Sequence, residues 1–289
     1  MKKYQTLGQL LTDYREVFGI SQADLAAMVD VDVRTVQRWE ADVTQLKDDK
    51  EADLVRATFL PHQLVRNLNS ITPIPTWYDF SLRKYSLSEL SNDLPDARTI
   101  LENIYLPSER VRTLRPDADL ETVIQYLFYR NKERKGIRTA VIREAVNLLP
   151  GLNLFVTDEA GFYAGHVIVM PLKKESYLRI RERQINPDQL SFDDLADHRT
   201  AHHPYFFQYS IAADSNDNIC ILVGAIMRFM KAWNDKPYTW CTITDRYDSY
   251  YLHTHVGLKV VWEDKEHRSV FGDPYRFVEG DFREFLSET

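Results

Sequence analysis

Cysteine is almost missing from this chain: two in 289 residues, Cys220 and Cys241. Both sit inside apolar segments, which speaks against a disulfide framework and for buried thiols in a reducing compartment, the cytoplasm. Long hydrophobic runs are missing too. The longest, Ile219 to Met227, stops at Arg228 and is too short to span a bilayer, so no membrane partner is expected. No basic-then-apolar leader opens the chain, so no secretory signal is expected. Excess positive charge is lacking as well: the formal net charge is −7, which argues against nonspecific nucleic-acid binding. Internal repeats and low-complexity tracts are not evident. What is there is ordinary for a globular chain, 44% apolar and 27% charged. The length suffices for two domains, each with its own core.

The most informative stretch is Ile20 to Glu40, ISQADLAAMVDVDVRTVQRWE. Ser21 and Asp24 have the spacing of a capping box, and Leu25, Ala26 and Val29 then fall on one helical face. Asp30-Val31 breaks that helix, and Asp32 is placed to cap the next. In the second helix Val36, Trp39 and Glu40 share one side, while Arg34, Gln37, Arg38 and Ala41 share the other. Arg and Gln match the guanine and adenine edges exposed in a major groove. An alternative use for such a helical pair is protein contact alone.

The pattern L-A-x-x-x-x-V-x-x-x-T-V-x-R-W-E resembles the helix-turn-helix of the Cro/lambda-repressor (Xre) family over roughly the first 60 residues. Asp30 stands where that family usually has glycine. The resemblance implies a phosphate contact from Gln22 and one from Thr35. It also implies base or backbone contacts from Val33, Arg34, Gln37 and Arg38 to double-stranded DNA. Residues 1–60 carry eight cations against eleven acids, a balance of −3. Phosphate neutralisation supplies much of the affinity of DNA binders, so a single copy should bind weakly. A homodimer on paired half-sites would double the contacts.

Taken in order, helix one is expected from Thr6 to Phe18, ended by Gly19, with further helices at Gln45 to Thr58 and Pro61 to Leu68. Residues 1–69 are thus an all-α helix-turn-helix domain. Residues 70–99, punctuated by Pro73, Pro75 and Pro95 and rich in aromatics, are expected as an ordered arm that could also serve as a dimer contact. Beyond it, elements alternate. Helices are expected at Leu120 to Arg130, Thr139 to Leu149, Phe192 to Arg199, Ile219 to Trp233 and Ser249 to Val256. Strands are expected at Leu154 to Asp158, Phe162 to Met170, Tyr205 to Ala213, Tyr238 to Thr244, Leu258 to Trp262 and Tyr275 to Val278. This is an α/β (α+β) domain over residues 100–289.

That order, with GHVIVMPL at the third strand and a late helix closing at Gly257, resembles the GNAT-type N-acetyltransferase fold, with its mixed, mainly antiparallel sheet. The resemblance implies acetyl-CoA or another acyl-CoA as a possible cofactor. It also maps the family's proton-donating tyrosine onto His253, with Tyr251 nearby. The family's pyrophosphate turn needs small residues so that backbone N–H groups can approach phosphate. Here it reads Asp214-Ser215-Asn216-Asp217-Asn218-Ile219-Cys220-Ile221, with no glycine and two carboxylates. The expectation is therefore a transcriptional regulator whose degenerate acetyltransferase-like domain senses a small-molecule effector or drives assembly. The alternative is an active acetyl-CoA-dependent N-acetyltransferase with a helical targeting module. His198, His202 and His203 have no acidic partner in a zinc-binding arrangement, so no metal is expected. The basic run YRNKERKGIR, with Lys132, Arg134 and Lys135, suits a helix C-terminus, or alternatively a second phosphate contact.

Overall fold

The computed structural model describes residues 1–88, 96, 98–99, 102, 109–130, 138–233, 236–269 and 272–287. Two compact units emerge. The first comprises Met1–Asp93 with Asp158–Ala164 and Ala213–Asn216; the second comprises Leu94–Thr157, Gly165–Ala212 and Asp217–Thr289.

Unit one holds five helices among its described residues: α1 (Leu7–Phe18), α2 (Gln22–Val29), α3 (Val33–Glu40), α4 (Asp48–Thr58) and α5 (His62–Leu68). Local chemistry places their ends. Thr6 caps α1, and Gly19 closes it in the left-handed region at φ 63°, where glycine has no Cβ to clash. Ser21 and Asp24 form the expected capping box on α2. Asp30 closes α2 at φ 54°, a conformation that aspartate tolerates better than most side chains. The Lys50 ammonium then donates to the carbonyls of Val29 and Asp30 at 3.0 and 3.2 Å, satisfying groups that the helix end leaves free. Apolar side chains of all five helices, Leu10, Leu25, Val36, Leu54 and Val65 among them, are fully buried together. Such burial supplies most of the stability of helices this short.

The segment expected as an arm carries structure of its own. Strands β2 (Thr76–Asp79) and β3 (Lys84–Ser86) join β1 (Lys2–Tyr4) in a three-stranded antiparallel sheet with Lys2 opposite Tyr78 and Trp77 opposite Ser86. Unit one also pairs His62 Nδ1 with Asp158 Oδ2 at 3.1 Å, both buried.

Among the described residues unit two is built on a seven-stranded sheet in the order β4-β5-β6-β7-β8-β10-β9. Its strands are β4 (Val111–Thr113), β5 (Leu154–Thr157), β6 (Tyr163–Leu172), β7 (Tyr205–Ala213), β8 (Thr239–Thr244), β9 (Lys259–Arg268) and β10 (Pro274–Gly280). The β7–β8 pair is parallel; β4–β5, β8–β10 and β9–β10 are antiparallel. Six helices accompany it among the described residues: α6 (Leu120–Arg130), α7 (Thr139–Leu148), α8 (Lys174–Arg181), α9 (Asn216–Ala232), α10 (Tyr247–His255) and α11 (Arg283–Ser287). The parallel pair requires a crossover, and α9 supplies it. The core gathers Val123, Ile142, Val167, Phe206 and Phe277, all fully buried.

Several expectations are corrected here. No α-helix forms over Phe192 to Arg199; single 3-10 turns lie at Pro187–Gln189 and Phe192–Asp194 instead. Asp194 is bound by Ser191 and Ser176, and Leu195 then turns extended to bridge Leu172, which stops the helix after one turn. Helix α8 was not expected, because KESYLRIR shows little apolar period; only Ser176, Tyr177 and Ile180 are buried. Strand β9 runs to Arg268 rather than Trp262, since charged residues suit a strand at the rim of a sheet. Lys132, Arg134 and Lys135 of the basic run lie outside the described residues.

Candidate functional site

Two places in the chain combine accessible chemistry with a built framework, one in each unit. In unit one it is α3. Val36 and Trp39 are buried, 0 and 4% exposed, which pins one face of the helix against its neighbours. Val33, Arg34, Gln37 and Arg38 are all exposed on the opposite side. Neither Arg34 nor Arg38 enters an ion pair among the described residues.

The acids around this helix are structural. Asp32 caps it, accepting from the Thr35 N–H at 2.9 Å and the Thr35 hydroxyl at 2.8 Å. The hydroxyl, and then the backbone N–H, hold the Asp32 carboxyl below the usual carboxylate range, as the Ser21 hydroxyl first does for Asp24. Asp42 accepts from the Gly8 N–H at 3.0 Å. Glu40 receives the Arg15 guanidinium in a two-point pair, one bond being 3.0 Å from Nη2, and also the Gln22 amide at 2.7 Å. Gln22 in turn accepts from Gln37 at 3.3 Å. Gln22, Gln37 and Glu40 are thus brought together in one polar network joining α2 and α3. The hydroxyl proton of Thr35 is already given to Asp32, so this side chain must rotate before it donates to anything else.

In unit two the site is a cleft between β7, β8, α9 and α10. The parallel pairing of β7 and β8 runs from Tyr205 opposite Thr239 to Gln208 opposite Thr242, while β7 continues to Ala213. The Thr242 hydroxyl closes the last pair, donating to the Gln208 carbonyl at 2.9 Å. Beyond it a cleft of about 50 Å³ opens, with Gln208 and Ile211 from β7, Val223 and Met227 from α9, Trp240 from β8 and His253 from α10 among its lining residues.

His253 is only partly accessible, and its Nδ1 lies 2.7 Å from the Ser249 carbonyl. A carbonyl can only accept, so Nδ1 carries the proton and Nε2 keeps its lone pair. Desolvation pulls the His253 pKa down to about 4, with the Ser249 carbonyl offsetting part of the effect. The imidazolium expected as a proton donor is therefore absent at neutral pH; the ring is a neutral acceptor. Tyr251 is half exposed and meets the His255 ring at a tilt, ring centroids 3.9 Å apart, and is not among the residues lining the cleft. Sequence reasoning missed Trp240 and Gln208. Trp240 is 1% exposed, and its indole N–H has no hydrogen-bond partner among the described residues.

Cys220 and Cys241 are both buried free thiols. Among the described residues no group of three or more His, Cys, Asp or Glu stands close enough to hold a metal ion. His198 is buried near Trp233 and Phe206, and that burial lowers its pKa. No helix is long and apolar enough to cross a membrane among the described residues.

Residues 11–61 match the helix-turn-helix family model. No curated protein matches the chain. Solved structures with a similar arrangement include a chain of the NatC complex bound to Gag peptide and CoA, at 12% identity, covering 59% of this chain and 96% of that one, with a TM-score of 0.38. A polyamine N-acetyltransferase from Drosophila melanogaster is 11% identical over 59% of this chain and 98% of its own, with a TM-score of 0.39. A ribosomal-protein-alanine N-acetyltransferase from Brucella melitensis is 14% identical over 59% and 98%, with a TM-score of 0.36. Residues 11–61 thus carry a helix-turn-helix, ahead of an α/β domain with a mixed and mainly antiparallel sheet.

Proposed function

We propose that this protein is a sequence-specific DNA-binding transcriptional regulator that acts as a homodimer in the cytoplasm, its α/β domain sensing a small molecule or mediating assembly. The observation that carries the reading is the division of α3: indole and Val36 inward, two guanidiniums and an amide outward and unpaired by acids. An α-helix fits the major groove, where arginine pairs with guanine and glutamine with adenine. Val33 to Arg38 enter the groove, and Gln22, fixed by Glu40 at the start of α2, lies at the strand backbone with its remaining N–H. Thr35 reaches phosphate after releasing Asp32.

Selection of binding sites from random DNA with the full chain tests this. Recovery of a two-fold-symmetric site is the expected result. On that site Arg38→Ala weakens binding by about 1–3 kcal/mol, the worth of one bidentate base contact. Enrichment of no sequence, or equal affinity of the variant, removes the assignment.

A second reading, N-acetyl transfer from acetyl-CoA, draws on the cleft beside His253. The neutral ring and the glycine-free turn before α9 weigh against it. Micromolar binding of acetyl-CoA by calorimetry, lost in His253→Ala, would place it first.

A further inference from the structure

We propose that Glu40 and Gln22 are positioning residues for base reading: through them Gln37 is oriented to accept an adenine and to refuse a guanine. The inference deepens the groove-reading part of the function proposed above and rests on it.

The chain of bonds begins at a group that is held still. Arg15 on α1 grips the Glu40 carboxylate at two points, and the Glu40 side chain is only 9% exposed. A carboxylate offers acceptors and no donor. The Gln22 amide must therefore turn its NH2 toward Glu40, and Nε2 donates to Oε2 at 2.7 Å. That leaves Gln22 Oε1 for Gln37, and an amide oxygen accepts only from a donor. Gln37 meets it with Nε2 at 3.3 Å. A free surface glutamine exchanges its oxygen and nitrogen by a half-turn of the amide. Here each amide takes its orientation from the one before it, back to a carboxylate that can play one part.

With one N–H given to Gln22, the exposed Gln37 side chain retains one N–H and its oxygen. Adenine shows the major groove one acceptor, N7, and one donor, the N6 amino group, which is the matching pair. Guanine shows two acceptors, N7 and O6. Against guanine, Oε1 of Gln37 either opposes O6 or is turned away by breaking the bond to Gln22. Either way one hydrogen bond is lost, a penalty of about tenfold in affinity.

The test starts from the site that selection with the full chain recovers. Gln37→Ala identifies the base pair beneath Gln37 as the one whose preference disappears. Duplexes carrying adenine or guanine at that pair are then titrated by fluorescence anisotropy with wild type, Gln22→Met and Glu40→Gln. Gln22→Met removes the amide at nearly constant length and leaves the Arg15 pair with Glu40 intact. Glu40→Gln supplies a group that both donates and accepts, so either orientation of Gln22 is served. Wild type should favour adenine about tenfold, and in both variants the ratio should fall below about threefold. A merely structural role for Glu40 or Gln22 would weaken binding to both duplexes alike, and the ratio would not move. Circular dichroism confirms folding of each variant; if one fails to fold, the other decides. No pair sensitive to Gln37→Ala, guanine bound as well as adenine by wild type, or a ratio that survives in a folded variant overturns the proposal. Each of these leaves the DNA-binding reading standing, whereas a selection that enriches no sequence removes both.

Discussion

His253 shows how burial chooses a role for a side chain. Its pKa of about 4 lies below the ordinary histidine value of 6.5, so the unfolded chain takes up the proton first as pH falls. The stability this residue contributes is complete above pH 6.5 and erodes from there down to about pH 4. Relative to His253→Gln, the wild-type chain should lose on the order of 1–3 kcal/mol across that window. Urea unfolding at pH 7, 5.5 and 4 measures it. His198 and His203, also lowered by burial, are present in both proteins and cancel in the difference. Parallel curves for the two proteins count against the burial argument. A second residue-scale test concerns Glu40, which gathers Arg15 and Gln22. Glu40→Gln leaves the half-buried Arg15 guanidinium without its counter-charge, so stability should drop by about 1–3 kcal/mol. Thermal unfolding reads this out, and an unchanged midpoint rejects it.

Among elements, α1 passes close against the end of α3. A Cβ built on Gly8 would meet the Glu40 carbonyl and lie 2.8 Å from that of Trp39, both backbone atoms that cannot step aside. Gly8→Ala should therefore cost about 1–3 kcal/mol, by forcing the two helices apart. It should also weaken operator binding beyond the lost stability, because α3 carries the exposed arginines. Denaturant midpoints and binding isotherms taken together check both parts; a variant as stable as wild type refutes the contact. The same scale explains what could be read ahead of the structure. The helix-turn-helix was legible because its caps, Ser21 with Asp24 and Asp32 with Thr35, and its apolar period all lie within about twenty residues. The three-stranded sheet was not, because it joins Lys2–Tyr4 to Thr76–Asp79 through strands too short to show alternation. The cleft was hidden for a related reason. Its lining comes from four elements and from Phe282 beyond them, and Trp240 looks in sequence like any core aromatic.

For the whole molecule, charge sets what the proposed DNA binding should look like. The net charge is −7, and two of the eight cations in residues 1–60, Arg15 and Lys50, are committed to Glu40 and to the end of α2. Arg34 and Arg38 remain on the reading face. In the proposed dimer two copies would bring four guanidiniums near phosphates, so the logarithm of affinity should fall against the logarithm of salt with a slope no steeper than about −4. Fluorescence anisotropy on the selected site from 50 to 300 mM salt measures it, and a slope near −8 would mean a basic surface elsewhere takes part. The sheet of unit two adds a constraint of another kind. Among the described residues one rim is β4, only three residues long, and the other is β9, carrying Lys259, Glu263, Asp264, Lys265, Glu266 and Arg268. Brevity on one flank and alternating ionic side chains on the other both discourage a foreign strand from zippering on. Any dimer of the proposed kind would thereby be steered away from fusing its sheets, and the chain is spared the runaway stacking that a long, greasy border invites.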